Sequence, residues 1–351
     1  MATIKDVAKE AGLAVGTVSR ILNNRGYISD NAREKVDTAM KKLNYRPNEM
    51  ARSLQKKHSR FIGVIVPRIA HPYFAFLISC LEEAAYQNDY RILLLNSQGI
   101  PTKESEFMDL CFRNKVVGII LCNGNLDIAR TGDFSVPVVT IERKHEGGDA
   151  SIECDNEQGG RMAAEHLIEN GCSHLLHING VTCADMPAEK RGYGFTAACR
   201  QHRVQSDVVN VVFEDYRLKD AGEILNRILD EYPGVDGIFA SDDILAAEML
   251  KVCREREIHV PRQMKIVGFD DTDIAGLCQP SLTTIRQPVR EIAECAVGFI
   301  SRMFDNEPVP VRTILPVELV KRESTSAGDG DTDSGILQLK SQMRDSGDLQ
   351  S

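Results

Sequence analysis

The spacing of hydrophobic positions along this 351-residue chain changes once, near residue 61. Before that point it is helical. Ile4, Val7, Ala8 and Ala11 fall at i, i+3, i+4 and i+7, a single stripe on one helix face. Thr3 followed by Asp6 fits the capping pattern of a helix start, and Gly12 supplies the turn that ends it. A second helix is predicted from about Val15 to Asn23, with Val18, Ile21 and Leu22 inward. Gly16, Thr17, Ser19, Arg20 and Asn23 are left for an outside partner. A third helix begins after Ser29 and turns Ala32, Val36, Met40 and Leu43 inward. Helix, tight turn, helix and third helix make a helix-turn-helix. Its second helix enters the major groove of DNA, where an arginine can bond guanine in a bidentate way.

From Phe61 the pattern becomes short apolar runs alternating with helical stretches. Residues 61–66, 91–95 and 117–121 form one set of predicted strands; 175–178, 208–212, 237–240 and 265–269 form a second. Helices are expected near 74–88, 158–170, 188–202, 218–231 and 243–257. Such alternation predicts parallel sheets covered on both faces. Two successive sets predict two similar doubly wound lobes, with a cleft where the C-terminal ends of their strands meet a ligand.

Charge sharpens the division. The chain carries 42 Lys and Arg against 51 Asp and Glu, a net of −9. Residues 1–60 hold 13 basic and 6 acidic residues, a net of +7, which leaves −16 for the rest. A basic head on an acidic body is expected where only one end meets a polyanion. No run of 18 apolar residues offers a membrane span, and no apolar leader opens the chain. The ten cysteines form no C-x-x-C pair, which points to reduced thiols and a cytoplasmic protein. His174 and His177, three apart in a predicted strand, should face opposite sides, and no metal set or cofactor is expected. There is also no G-x-S-x-G elbow, P-loop or dinucleotide fingerprint, so an enzyme is not expected.

Three motifs in order resemble the lactose-repressor and purine-repressor family: Thr3-Ile-Lys-Asp-Val-Ala8, Thr17-Val-Ser-Arg20, and Tyr45-Arg-Pro-Asn48 with Ala51-Arg-Ser-Leu54. The resemblance implies base reading by Val15, Gly16 and Arg20, and phosphate contacts from Thr17, Ser19, Asn23 and Tyr27. It also implies that Asn48 to Leu54 becomes a hinge helix only when two subunits lie side by side on the minor groove. Ala51 would then allow close approach, Ser53 would sit within the hinge contact, and Leu54 would wedge between base steps. Two residues depart from the pattern. Ala14 stands where the second helix usually has a capping serine, and Gly16 where Ser or Thr is common. Losing the cap costs about 0.5–2 kcal/mol and a helical glycine about another 1 kcal/mol, so a marginally stable head is expected.

Over the body the resemblance implies a periplasmic-binding-protein-like fold in which the chain crosses between lobes three times. The first lobe would take about 61–158 and 288–314, the second about 159–287 and 316–322. Arg191, in a run resembling the family's Arg-x-x-Gly-Phe motif, would be the ligand arginine. Tyr73, Phe74, Asp155, Asp185, Tyr216, Ser241, Asp242 and Asp270 complete the expected effector set. Carboxylates, one guanidinium and aromatic faces suit a sugar or sugar phosphate. Asp242 also reads as a helix N-cap, and Phe74 and Phe195 as core residues.

The implied domains are a helix-turn-helix at 1–47, a hinge at 48–60, a two-lobed effector and dimerisation domain at 61–322, and a disordered tail at 323–351. The implied function is a repressor of a carbohydrate-utilisation operon that binds a palindromic double-stranded operator as a homodimer, with no membrane partner. The alternatives are a catabolite regulator controlled by a phosphorylated carrier protein, and a solute-binding protein without regulatory role.

Overall fold

The computed structural model describes residues 2–22, 28–45, 59–122, 136–143, 148–180, 186–211 and 221–326. The chain divides into two compact units: residues 1–60 with 114–116, and the remainder.

In the first unit, α1 spans Ile4–Ala11, α2 Val15–Leu22 and α3 Asp30–Lys42. Thr3 and Asp6 form a reciprocal capping box. The Thr3 N–H and hydroxyl each donate to Asp6 Oδ2 at 2.8 Å, and the Asp6 N–H donates to Thr3 Oγ1 at 3.4 Å. Gly12 takes the left-handed conformation (φ 65°) and closes α1. Val7, Ala8, Val18, Ile21, Val36 and Ala39 are the buried centre. Leu22, Ala32, Met40 and Leu43 pack around it half-buried, so the expected inward positions lie on the correct faces. Ser29 caps α3, and Lys42 pairs with Glu10 at 2.6 Å, joining α3 to α1.

The second unit holds two six-stranded sheets. The elements of the first lobe are β1 Phe61–Val66, α4 Pro72–Gln87, β2 Arg91–Asn96, α5 Pro101–Arg113, β3 Gly118–Cys122, β4 Val138–Ile141 and β5 Ala150–Cys154. The second lobe follows with α6 Asn156–Glu169, β6 His174–Gly180, α7 Lys190–His202, β7 Gln205–Val211, α8 Ala221–Glu231, β8 Gly237–Ala240, α9 Asp243–Glu255, β9 Lys265–Asp270, α10 Asp273–Leu277 and β10 Thr283–Arg286. The chain then returns to the first lobe with α11 Val289–Phe304 and β11 Arg312–Leu315, and ends in the second with β12 Glu318–Val320. The sheet orders are β11-β5-β4-β3-β1-β2 and β12-β10-β9-β8-β6-β7. The order reverses at β1 and β6, as in doubly wound folds.

Three crossings therefore join the lobes, after β5, after β10 and after β11. The helix α6 packs in the core of the second lobe, through Ala163, Ala164 and Leu167 against Phe269 and Ile285. The first crossing thus falls at Asp155 rather than at 158. Every described strand pair is parallel except β10 with β12. β11 ends at the cleft and β12 begins three residues later, so β12 runs away from the cleft while β10 runs toward it. Elements not expected from the sequence are β4, β5, α5, α10, β10, α11 and β11.

The polar run after β12 does not behave as expected over its first residues. Ser324 and Thr325 are buried. The Ile266 N–H donates to the Ser324 carbonyl, the Thr283 N–H to Ser324 Oγ at 2.9 Å, and Thr325 Oγ1 pairs with His166 Nε2 at 2.8 Å. Residues 323–326 clasp the strand-starting end of the second sheet, because their polar groups satisfy β9 and β10 backbone that would otherwise be left open there. Residues 327–351 lie outside the described residues. Among the described residues no helix is long and apolar enough to cross a membrane.

Candidate effector cleft and DNA-reading face

The cleft is built where strand ends of both lobes meet. Arg191 opens α7, a helix that lies unusually close to α6. A Cβ on Gly160 would stand 1.9 Å from the Arg191 carbonyl oxygen, and one on Gly194 would stand 1.8 Å from the Glu157 carbonyl oxygen. These two glycines let the helix backbones touch and so fix where Arg191 begins. Its Nε donates to Asn156 Oδ1 at 2.8 Å and its Nη1 to the Ser241 carbonyl at 2.5 Å. The guanidinium lies 3.5 Å from the centre of the Phe269 ring.

Asn156 continues the network into the other lobe. Its Nδ2 donates to Glu142 Oε2 at 2.9 Å, and Glu142 Oε1 accepts the Cys154 N–H at 2.5 Å. Burial raises the Glu142 carboxyl and Arg191 opposes that shift. A second link joins the lobes at Glu153 of β5, which takes Lys190 of α7 at 2.9 Å as well as Arg312 of β11.

Asp270 ends β9 with φ 109° and is buried. Its Oδ1 accepts Gln287 Nε2 at 2.6 Å. Burial pushes its carboxyl well above the usual range; Arg191 opposes this, and Asp243 and Asp242 reinforce it. Glu142, at φ 49°, is its counterpart at the end of β4. Two acidic residues in a backbone region disfavoured for side chains, on facing strand ends, mark a place where strain is held for a site.

Two buried polar atoms beside these groups have no hydrogen-bond partner among the described residues: the Tyr73 hydroxyl and Gln287 Oε1. Tyr73 is 6% exposed, and Gln287 4%. Burial raises the Tyr73 hydroxyl first, and Glu142, Cys154 and Asp270 add to the shift. His71 Nδ1 is likewise unpartnered; burial lowers this imidazole, Asp242 raises it and Arg68 lowers it. Native proteins leave few such atoms unsatisfied, so a cluster of them marks a place for an outside partner.

The expected effector residues separate on this geometry. Tyr73, Arg191, Ser241 and Asp270 come together. Ser241 Oγ accepts the Gly180 N–H at 2.9 Å while its carbonyl holds Arg191. Phe74 is a core residue of the first lobe, edge-on to Tyr73 at 5.1 Å. Asp155 caps α6 through the Gln158 N–H at 3.0 Å, and Asp242 caps α9 through the Leu245 N–H at 2.8 Å. Asp185 and Tyr216 lie outside the described residues. Phe195 is core, stacked in a row with His177 and Phe239. Glu142, Asn156, Gln287 and His71 were not anticipated. An acid ending the apolar run Val138–Ile141 was the available signal for Glu142.

On the head, Val15, Gly16 and Arg20 of α2 are exposed, Val15 to 41%. Thr17 and Ser19 are half-buried beside them. Gly16, Ser19 and Arg20 share a face at helical spacing. Asn23, Tyr27, Asn48, Ala51, Ser53 and Leu54 lie outside the described residues.

Residues 3–48 match the bacterial regulatory proteins of the lacI family, and residues 164–325 match the periplasmic binding protein-like domain. The chain is 34% identical over 330 residues to the ribose operon repressor of Halalkalibacterium halodurans, covering 94% of this chain and 98% of that one. It is 36% identical over 324 residues to the sucrose operon repressor of Streptococcus mutans, covering 92% and 99%. The chain belongs to the LacI family. A solved LacI-family structure, the lac repressor dimer bound to operator and the anti-inducer ONPF, matches it with a TM-score of 0.83 at 25% identity, covering 93% of this chain and 99% of that one. This LacI-family protein is a DNA-binding transcriptional regulator, in a family of regulators rather than enzymes.

Proposed function

We propose that this regulator is a cytoplasmic, non-enzymatic repressor of a carbohydrate-utilisation operon, released from its operator when a sugar occupies the cleft. One observation carries the effector reading: the unpartnered Tyr73 hydroxyl and Gln287 Oε1 converge with Asp270 and Arg191 between the two lobes. That mixture of donors and acceptors fits vicinal hydroxyls. The names of its relatives, ribose and sucrose operon repressors, support the same class.

In this reading residues 1–47 bind DNA and 48–60 form the hinge. The effector and dimerisation domain runs from 61 past 322 to the clasp at 326, with a tail beyond. Val15, Gly16 and Arg20 read bases; Thr17, Ser19, Asn23 and Tyr27 hold phosphates. Asn48, Ala51, Ser53 and Leu54 engage the minor groove from two subunits, with Leu54 as the wedge. Tyr73, Asp270, Arg191 and Ser241 form the sugar site with Gln287. Asp185 and Tyr216 complete the set in this reading.

A C2 dimer predicts a near-palindromic operator. Sugar and DNA affinities must then be coupled reciprocally. The test is a mobility-shift titration of the full-length protein on DNA from its own operon, with and without each sugar. Release by at least one sugar is expected; a complex indifferent to every sugar tested refutes the reading. Leu54→Ala should weaken operator binding at unchanged sugar affinity, and unchanged operator affinity removes the wedge role.

A further inference from the structure

Resting on the cleft being a sugar site with Asp270 among its ligands, we propose that Asp271 is a positioning residue for that site. Gripped by Arg286 and Arg322, Asp271 fixes the turn that follows β9 and so fixes where the Asp270 carboxyl stands.

The backbone at this point needs holding. Asp270 has φ 109° and Asp271 φ 53°, two successive residues with side chains in the region that favours glycine. Such a turn persists only where its surroundings over-determine it. Asp271 Oδ2 accepts Arg286 Nε of β10 at 2.7 Å, and its Oδ1 accepts Arg322 Nη2, from just past β12, at 2.7 Å. Each oxygen thus has its own guanidinium, and the Asp271 side chain is 8% exposed. Both guanidinium groups are tethered in turn. Arg286 Nη1 donates to Glu318 Oε2 at 3.0 Å, and Arg322 Nη1 to the Leu282 carbonyl at 2.8 Å.

The next residue of the turn is held as firmly. The Thr272 N–H and hydroxyl donate to Asp243 Oδ2 at 2.7 and 3.0 Å, and Asp243 Oδ1 accepts the Thr284 hydroxyl at 2.5 Å. A Cβ on Gly268 would stand 2.5 Å from that same oxygen, so β9 carries a glycine where the carboxyl enters. Thr272 begins α10 without capping it through its side chain, because its hydroxyl is given to Asp243.

The end of β10 organises the whole arrangement. Thr284 lies opposite Gly268 and Arg286 opposite Asp270. Thr284 and Arg286 share one face of the strand and hold Asp243 and Asp271. Gln287 follows and holds Asp270 at 2.6 Å. Asp270 and Gln287 are the cleft groups, and Arg286 acts on them through Asp271. Charge-assisted hydrogen bonds are short and directional, which suits them to hold a turn against its own backbone preference.

Isothermal titration of the full-length protein with D-ribose, D-fructose, D-glucose and sucrose, paired with chemical denaturation, tests this. Asp271→Ala should weaken the sugar that the wild type binds by about tenfold or more. Arg286 is half-exposed, so Arg286→Gln leaves no buried gap. That variant should keep the wild-type denaturation midpoint and still bind the sugar about threefold more weakly. Arg286→Lys, which retains a charged donor, should recover most of that loss. If Asp271→Ala does not fold, Arg286→Gln decides alone. Wild-type affinity in Arg286→Gln, with any loss in Asp271→Ala only matching its loss of stability, makes Asp271 a merely structural residue and overturns the inference while leaving the sugar reading intact. If the wild type binds none of the four sugars, the sugar reading falls and the inference falls with it.

Discussion

Arg20 and Arg191 are both expected to recognise a ligand, and the molecule holds them in opposite ways. Arg20 is exposed on an eight-residue helix whose N-terminus begins at Ala14, a residue with no side-chain acceptor. Arg191 is 7% exposed, bonded to Asn156 and Ser241, and set in place by two helices in backbone contact. A side chain that meets a polyanion can stay mobile and solvated, since the DNA fixes it on arrival. A side chain that meets a neutral sugar must be held beforehand, because its few hydrogen bonds cannot also offset the entropy of ordering it. The head therefore relies on local devices such as caps and turns, and the lobes on long-range ones.

The comparison breaks most readily at the α6–α7 contact. Gly160→Ala puts a methyl group 1.9 Å from the Arg191 carbonyl oxygen, and backbone cannot give way as a flexible side chain can. The loss of stability should reach or exceed the ~3 kcal/mol at the top of the usual overpacking range. Chemical denaturation of the variant measures it, and sugar binding should fail as Arg191 shifts. A variant with native stability means the two helices separate more easily than this packing implies.

The next effect is a pH dependence confined to the lobes. His177 is fully buried, stacked 4.5 Å from Phe239, and its Nδ1 pairs with the Phe239 carbonyl. Burial, with a smaller push from Arg191, lowers its pKa from 6.5 to about 4. For a base with a depressed folded pKa, the unfolded chain binds the extra proton first. Its contribution is thus complete above pH 6.5 and is lost as the pH falls toward 4, by roughly 3 kcal/mol. Asp243, raised to about 7 by burial from an ordinary 3.8, has the opposite sign and gains stability as the pH falls through the whole of the same range. The wild-type profile alone is therefore nearly uninformative. The difference between wild type and His177→Asn isolates the histidine, and a difference flat from pH 7 to 4 rules the mechanism out. In the head, Asp6 is held below its ordinary 3.8 by the Thr3 hydrogen bonds, so its contribution is lost only in stronger acid.

Asn156→Ala should cost about 2–3 kcal/mol, because it leaves Glu142 Oε2 and Arg191 Nε buried without the partner each now has. Sugar affinity should fall with stability. If stability falls and affinity does not, Arg191 is positioned by Ser241 and Phe269 alone.

The same contrast explains what could be read from the sequence. The capping box at Thr3, the turn at Gly12 and the exposed face of α2 are encoded within a few residues, and all three appear as expected. The strands expected at 61–66, 237–240 and 265–269 were equally plain as apolar runs, the last extending in the structure to Asp270. Glu142, Asn156 and Gln287 were not, because their roles depend on partners that the three crossings bring together. Nothing near Asn156 in the chain announces that it bridges Glu142 and Arg191. Asp155 and Asp242 show the reverse case: both read as ligand groups and Asp242 also as a helix cap, and the structure uses both as caps. The clasp at 323–326 was missed for a similar reason, since a polar composition signals disorder only when no open sheet end is available to absorb it.

The smallest effect is also the sharpest test of the comparison. Gly16 and Gly160 are both helical glycines, but a Cβ on Gly16 would meet nothing within 4 Å. Gly16→Ala should therefore stabilise α2 by about 1 kcal/mol, the propensity difference alone. Slower amide exchange along Val15–Leu22 in the full-length protein would show it. Operator affinity then decides what the glycine is for. If Gly16 lets the backbone approach a base edge, the stabilised helix should bind the operator more weakly, and binding and stability move in opposite directions. If affinity rises with stability, Gly16 makes no contact, and base reading rests on Val15 and Arg20.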